Sequence, residues 1–276
     1  MVRYNQAYRG SQNVRYISKN GKIVKRIYKG SELIYKLGFD TFTVNAGTTN
    51  RAWTVPMGVE KIHIDCVASR GNNGKATAGN GGRVQCDMNV TGGQVLYITV
   101  GAIPSDPRVA SYNASDIKIG GTSYSNRILV AGGGGSAGNG GNGGSWNGGA
   151  GGGTTGATGA GNAQYQGAMA TGGTQSSGGS GGTHGSWFGN DGGNGSFGIG
   201  GNGGAEVSYG GIGGAGGAGW YGGGGGASPG RAHWKSSAGN GGGGGSSYAN
   251  TAYCSAISHT QGYTSGNGYI TISYVW

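Results

Sequence analysis

Alternating apolar and polar positions mark two parts of this chain as β-structure. Residues 38–130 and 246–276 contain short strand-like runs, several with an apolar side chain at every second position, as in KIHIDCVA, GRVQCDMNV, QVLYITVG and GYITISYVW. That period is typical of a strand with one buried face. Turns rich in Gly, Asn, Asp and Pro separate the runs, which predicts a mainly β protein with a β-sandwich and little or no α-helix.

The same alternation assigns side chains to the core. Leu96, Ile98 and Val100 are expected to face the core, while Tyr97 and Thr99 face outward. The other positions predicted to be buried are Ile62, Ile64, Cys66, Val84, Cys86, Met88, Val90, Ile270, Ile272 and Tyr274.

The 3 cysteines give an odd count and no disulfide framework. Cys66 and Cys86 lie at core positions, so we interpret both thiols as small buried hydrophobes. A bridge between them is the alternative, and Cys254 stays unpaired in either case. Free thiols indicate assembly in a reducing compartment.

Residues 1–37 form a basic module ahead of the first long strands. Residues 1–36 hold nine of the 19 Lys and Arg residues against the single acid Glu32. The dipeptide Asn20-Gly21 between alternating flanks predicts a hairpin, and Glu32–Tyr35 a third strand of a small meander. We interpret the module as a docking site for an acidic partner, against the alternative of a solvated charged face; no motif supports nucleic-acid binding. The candidate attachment residues are Arg15, Lys19, Lys22, Lys25, Arg26 and Lys29.

Glycine dominates residues 131–245. The chain has 72 glycines, and 53 of them fall in this segment. Three interpretations of this segment are open. It is a flexible linker, a calcium-binding β-roll, or a bundle of extended helices with three residues per turn, called polyglycine II. The β-roll needs an aspartate in each repeat, and Asp191 is the only one available in the segment, so ligand supply excludes it.

Sterics favour the bundle. A three-fold extended helix makes no internal hydrogen bonds, so its N–H and C=O groups must pair with neighbouring helices or water. A helix surrounded by others has no room for a Cβ atom, which makes glycine compulsory there. The pure runs 132–135, 222–226 and 241–245 fit this requirement. The free energy gained from hydrogen bonds between the helices nearly equals the conformational entropy lost when the chain is ordered. We therefore expect the bundle to form only because the β flanks hold both ends of the segment.

Interruptions of the glycine runs at 162–171, 174–177, 183–188, 205–209 and 227–238 are the predicted turns at the ends of the bundle. Aromatic side chains on rigid turns make a binding surface at low entropic cost, although individual rings can equally serve packing. The candidate binding residues are Trp146, Tyr165, Trp187, Phe188, Tyr209, Trp220, Tyr221, His233 and Trp234.

No motif in the sequence supports a catalytic function. RILVAGGGGSAG resembles a dinucleotide fingerprint, but the glycine-rich sequence that follows cannot form the required helix. The histidines have no zinc spacing with the cysteines, and His63, which shares a strand face with Asp65, is interpreted as half of a surface pair. We therefore expect no enzyme activity, no cofactor and no metal.

No apolar run reaches the roughly 18 residues of a membrane span, which predicts no membrane insertion. The start MVRYNQAYRGSQ lacks the apolar core of a secretory signal, so we expect synthesis in the cytoplasm without export by that route.

Several stretches together resemble the glycine-rich domain of bacteriophage tail-fibre and spike adhesins: TVPMGVEKIHIDCVASRG, VTGGQVLYITVG, ASDIKIGG, RILVAGGGGSAG and the closing GNGYITISY. The glycine-rich module of receptor tyrosine kinases such as anaplastic lymphoma kinase is similar too. The resemblance covers about residues 39–276, and KIVKRIYKGSELIYK is similar to short modules that precede phage virion proteins.

The resemblance implies a virion structural protein that recognises a host receptor, a bacterial surface protein or glycan, through the loops between polyglycine helices. The implied domains are the attachment module 1–37, which would bind other virion proteins, the sandwich 38–130 completed by 246–276, and the bundle 131–245. A homo-oligomer is compatible with this arrangement. The alternatives are a purely structural fibre or capsid-decoration protein, and a bacterial glycine-rich surface protein.

Overall fold

The structure is a computed structural model, and it confirms a mainly β protein. The only helix in its described part is a single 3₁₀ turn, Tyr124–Asn126, and no described helix has the length and hydropathy to cross a bilayer. Backbone alone is described for 17–19, 22–24, 26–29, 32–36 and 39, and full residues for 40–140, 145–161, 167–185, 189–206, 211–228 and 238–275.

Two short antiparallel hairpins precede the main sheets. Strand β1 (Ile17–Lys19) pairs with β2 (Lys22–Val24), and β3 (Arg26–Lys29) pairs with β4 (Glu32–Lys36). Lys19 stands opposite Lys22, so two residues connect β1 and β2, as the Asn-Gly signal predicts. In the described residues two separate two-stranded sheets thus stand where the sequence predicts a three-stranded meander. Lys25, between β2 and β3, and Arg15 lie outside the described residues.

Ten further strands form two five-stranded antiparallel sheets. In chain order they are β5 (Phe39–Asn45), β6 (Arg51–Thr54), β7 (Lys61–Val67), β8 (Gly81–Asn89), β9 (Val95–Thr99), β10 (Ser115–Ile119), β11 (Arg127–Ala131), β12 (Tyr248–Ala249), β13 (Cys254–Thr264) and β14 (Tyr269–Val275). One sheet has the order β12-β11-β10-β9-β6 and the other β13-β8-β7-β14-β5. The closing strand β14 therefore returns to lie between β5 and β7.

The two sheets share one hydrophobic core. All core positions predicted from alternation are buried, among them Ile62, Leu96 and Ile272 at 0 % exposure. The three cysteines are buried and free, so the alternative of a Cys66–Cys86 bridge is wrong. Thr99 also departs from expectation: it faces away from this core but is only 6 % exposed, because Asn50 and Lys118 contact its hydroxyl.

The glycine-rich region leaves the first sheet from β11 and re-enters it at β12. These two strands pair directly, with Val130 opposite Tyr248, so both ends of the region are held at one place, as expected. Between them the chain runs back and forth in extended segments joined by backbone hydrogen bonds. The ten segments are 131–140, 145–153, 155–161, 167–173, 178–185, 189–196, 199–206, 211–219, 221–228 and 238–246.

The hydrogen bonds of segment 221–228 repeat every three residues. The N–H groups of Gly222 and Gly225 both donate to segment 189–196, each at 2.9 Å from the acceptor oxygen. The other N–H and C=O groups follow the same period, so that the segment is bonded to six others: 167–173, 178–185, 189–196, 199–206, 211–219 and 238–246.

Segment 238–246 has the same surroundings. Gly241 and Gly244 donate to segment 155–161 at 2.9 and 2.8 Å, again three residues apart. Its six bonded neighbours are 131–140, 145–153, 155–161, 167–173, 211–219 and 221–228. The two longest pure glycine runs of the chain are therefore the two segments that other segments surround completely.

Glycine is required in these two runs by space. None of the residues in 222–226 or 241–245 has a positive φ, so an unusual backbone angle is not the reason. A Cβ atom built on any of them would lie 1.9–2.2 Å from a carbonyl oxygen of a neighbouring segment. No side chain fits at that distance, because the backbones themselves are in contact.

Candidate functional site

The chain reversals of the glycine region lie at two opposite ends. The reversals at 153–155, 174–177, 196–199 and 219–221 lie beside β11 and β12, and we call them the near end. The other five reversals lie opposite, and we call the described residues that flank them the far end. Extended chain separates the two, because each of the ten segments runs from one end to the other. The far-end residues are 138–140, 145–147, 159–161, 167–170, 182–185, 189–192, 204–206, 211–213, 227–228 and 238–240.

Hydrogen bonds tie the far-end residues to one another. Asn139 pairs with Ile212, and Asn190 pairs with Ser228. The Ser228 hydroxyl donates to the Gly211 carbonyl oxygen at 2.5 Å. Far-end residues that are distant in the sequence are therefore joined into one hydrogen-bonded surface. The five stretches of chain that connect the far-end residues all start and finish at this surface.

The predicted receptor-binding residues divide between the two ends. Trp146 lies at the far end, where it is half-buried and its carbonyl oxygen accepts a hydrogen bond of 3.0 Å from the Gly138 N–H. Trp220 and Tyr221 lie at the near end. The remaining candidates fall outside the described residues, on stretches flanked on both sides by far-end residues: Tyr165, Trp187, Phe188, Tyr209, His233 and Trp234.

An aspartate–histidine pair stabilises one far-end reversal. Asp191 Oδ1 accepts a hydrogen bond of 2.8 Å from the His184 backbone N–H and lies 2.7 Å from His184 Nδ1. The backbone N–H first, and then the ring, lower the pKa of Asp191. Asp191 thus closes a turn, and the described residues contain no group of three His, Cys, Asp or Glu that could hold a metal ion.

At the near end, Trp220 and Tyr221 pack within an aromatic cluster. The Trp220 ring stacks on Tyr248 of β12 with centroids 3.9 Å apart, and Phe197 meets Trp220 edge-on at 4.8 Å. Tyr221 contacts the same Phe197 ring at 5.4 Å. Trp220 therefore connects the glycine region to the sheet, and Tyr221 packs on Phe197 within the glycine region. The sequence alone gave packing and binding equal weight for these rings.

Arg127 of β11 fastens this junction. Its guanidinium group donates to the Gly219 carbonyl oxygen at 2.6 Å and to that of Trp220 at 3.1 Å, and it lies 4.6 Å from the Phe197 ring centroid. Arg127 is only 2 % exposed. Cation–π contacts and carbonyl acceptors take the place of a carboxylate partner. In the sequence, an isolated arginine beside a long uncharged stretch was the only sign of this role.

A cavity of about 490 Å³ opens beside this junction, between the loop before β6 and the 3₁₀ turn. Lys118 of β10 lies at its wall, 2 % exposed, and forms an ion pair with Asp116, which is 0 % exposed. The Tyr112 hydroxyl donates to the same carboxylate. Burial raises the pKa of Asp116 against the opposing effect of Lys118. The strand pattern gave no signal for this group, because charged residues in a strand usually face solvent.

The surface histidine of β7 has a different partner from the one predicted. His63 Nδ1 lies 2.9 Å from Asp87 Oδ1 on the adjacent strand β8, whereas Asp65 accepts two hydrogen bonds from Arg83. Cross-strand neighbours are closer than residues two apart on one strand face. The Asp87 pKa is lowered chiefly by His63 and Lys61, as a surface pair requires.

Comparison with known proteins adds no relative. No protein-family model matches the chain, and no curated protein matches it in sequence.

Proposed function

We propose that the protein is a bacteriophage virion component, a fibre or spike adhesin, whose far end recognises a host surface receptor. In this proposal the two sheets form a β-sandwich and the glycine region is a polyglycine II bundle inserted into it. The observation that carries the proposal is the three-residue hydrogen-bond period of segments 221–228 and 238–246, each with six bonded neighbours. A period of three is that of an extended three-fold helix.

Rigidity is what such a bundle contributes to binding. Each backbone hydrogen bond stabilises by only about 1 kcal/mol net, but the bonds act together across ten segments. Both ends of the region are fixed at β11 and β12. Stretches that leave a rigid surface pay less conformational entropy on binding than free loops do. This favours recognition at the far end over a passive linker function.

The far end is the better receptor surface of the two. Five stretches leave from it, and the sequence places six of the nine candidate residues on them. The near end instead packs against the first sheet through Trp220, Tyr248 and Arg127. We therefore assign the far-end candidates to a bacterial surface protein or glycan, and Trp220 and Tyr221 to packing.

In this proposal the N-terminal module attaches the protein to the virion. Residues 1–36 carry most of the net charge of +10, which suits an acidic surface on another virion protein. The proposed protein is a binding and structural component of the virion, made in the host cytoplasm, and not an enzyme; it needs no cofactor, nucleic acid or membrane insertion for this work.

Adsorption measurements test the proposal. The triple variant Trp187→Ala, Phe188→Ala, Trp234→Ala should bind cells of the strain that supports the virus at least about tenfold more weakly than the unchanged protein. Tyr253→Ala, an exposed aromatic in the turn before β13, is the matched control and should bind normally. Normal binding by a folded triple variant would show that these aromatics are not the site. If the unchanged protein does not bind such cells, the purely structural alternative is favoured.

A further inference from the structure

Asn50, Thr99 and Lys118 line the cavity beside the 3₁₀ turn, and Lys118 pairs there with the buried Asp116. The Lys118 ammonium group donates to Asn50 Oδ1 at 3.2 Å, to Thr99 Oγ1 at 3.0 Å and to the Asp116 carboxylate. The Thr99 hydroxyl in turn donates to Asn50 Oδ1 at 3.2 Å. The Lys118 amine is thus in contact with a carboxamide, a hydroxyl group and a buried carboxylate.

We propose that Lys118 and Asn50 join through an intramolecular amide bond between Nζ and Cγ, with release of ammonia. The bond would be a covalent cross-link between strand β10 and the residue that precedes β6. The inference does not depend on the adhesin proposal, because it concerns only the chemistry of this side-chain group.

The geometry supplies each part of an acyl transfer. Asn50 Cγ is one bond from the oxygen that Lys118 Nζ already contacts at 3.2 Å, so a small rotation brings the amine to the attack distance of about 3 to 3.5 Å. The Thr99 hydroxyl points at the oxygen on which negative charge develops, as an oxyanion-hole donor does. Asp116 is placed to accept and return protons.

The reaction balances without an external reagent. Asp116 takes one proton from the Lys118 ammonium, and the lone pair of the neutral amine attacks Asn50 Cγ while the C=O electron pair moves to Oδ1. Asp116 then gives its proton to Nδ2 and takes a proton from Nζ. The C=O bond re-forms, the Cγ–Nδ2 bond breaks, and the electron pair leaves with ammonia.

The surroundings favour these transfers. Lys118 and Asp116 side chains are 3 % and 0 % exposed, so water competes little for either charge. A buried ion pair lies closer in free energy to its neutral form than an exposed one does, and burial raises the pKa of Asp116 accordingly. The adjoining cavity of about 490 Å³ gives ammonia an exit.

Asn50 is held for the reaction by its backbone. Its φ of 49° lies in the left-handed region, which residues other than glycine adopt rarely. Its N–H donates to Thr99 Oγ1 at 3.2 Å. The local conformation therefore fixes the carboxamide against β9, directly beside the amine.

Mass spectrometry of the purified full-length protein tests the cross-link. The intact mass should be lower than the sequence mass by about 17 Da, one ammonia molecule. Tryptic digestion should yield peptides 37–51 and 109–127 joined, with no cleavage after Lys118. An unreduced intact mass would overturn the proposal. So would a loss of 17 Da confined to one peptide, such as a succinimide at Asn20-Gly21.

Variants separate the roles of the four residues. Lys118→Arg and Asp116→Asn should both show the full, unreduced mass. Asn50→Asp should give the same product mass as the natural protein, because water leaves in place of ammonia. Lys61→Arg, a surface lysine paired with Asp87, is the matched control and should keep the cross-link. A joined peptide pair in Lys118→Arg would contradict the assignment of the amine.

Discussion

At the residue scale, glycine in this protein is selected for the volume it leaves free. In Gly222–Gly226 and Gly241–Gly245 no positive φ occurs, yet a Cβ atom would lie 1.9–2.2 Å from a neighbouring carbonyl oxygen. Backbone atoms cannot move aside as side-chain ends do. Substitution there must separate two segments and break the hydrogen bonds between them.

Gly224→Ala tests this requirement. A Cβ atom would lie 1.9 Å from the Ser180 carbonyl oxygen, so we expect the free energy of unfolding to fall by more than the roughly 1–3 kcal/mol typical of overpacking. Urea unfolding followed by tryptophan fluorescence measures it. Gly266→Ala, where the nearest atom is the Thr264 hydroxyl oxygen at 3.7 Å, is the control and should change stability little. Equal stability of the two variants would contradict the steric argument.

Some residue roles were accessible from sequence and others were not. Alternation located the core, including Ile64 and Met88, because burial of one strand face follows directly from a period of two. It could not foresee that Lys118 lies buried over Thr99. What covers the other face of a sheet depends on loops, and here the loop carrying Asn50 brings its amide to the lysine.

At the element scale, the ten glycine segments act as one hydrogen-bonded unit. The sequence predicted reversals where glycine runs are interrupted, and 174–177 and the far-end interruptions agree with the chain path. The reversals at 153–155, 196–199 and 219–221, and the one between residues 140 and 145, were not among the predicted interruptions, because glycine continues almost to each turn. A sequence with so few side chains carries little information about where the chain reverses.

Amide hydrogen exchange tests the order of the segments. With glycine labelled by ¹⁵N, the amides of Gly222–Gly226 and Gly241–Gly245 should exchange at least about 100-fold more slowly than random coil, since each is surrounded and hydrogen-bonded. Ser176 and Ser177, in an exposed near-end turn with side-chain acceptors, should exchange much faster when compared by full labelling. Coil-like rates throughout 131–245 would restore the linker interpretation.

At the scale of the whole molecule, the fold class could be predicted from the sequence. The arrangement of the near and far ends of the glycine region could not. A mainly β chain with its final strand returning to the sheets was predicted, and β14 does lie between β5 and β7. The division into near and far ends arises from contacts among segments distant in sequence. The side chains of the N-terminal module lie outside what the structure describes.

Removal of residues 1–37 tests the proposed attachment. The shortened chain should still fold, because the strands of both sheets begin at Phe39. It should bind cells normally but be absent from purified virions, as immunoblotting of particles would detect. Deletion of the module with retention in virions would contradict the attachment proposal without bearing on the far end.

The paired strands β11 and β12 have a mechanical consequence for any load applied along the glycine region. A pull between its far end and the sheets runs parallel to all ten segments, and so crosswise to the hydrogen bonds that join them. To pull the segments apart along their length, many hydrogen bonds must break at the same time instead of one after another. We therefore expect the glycine region, which lacks the side chains of a conventional core, to resist extension along its segments.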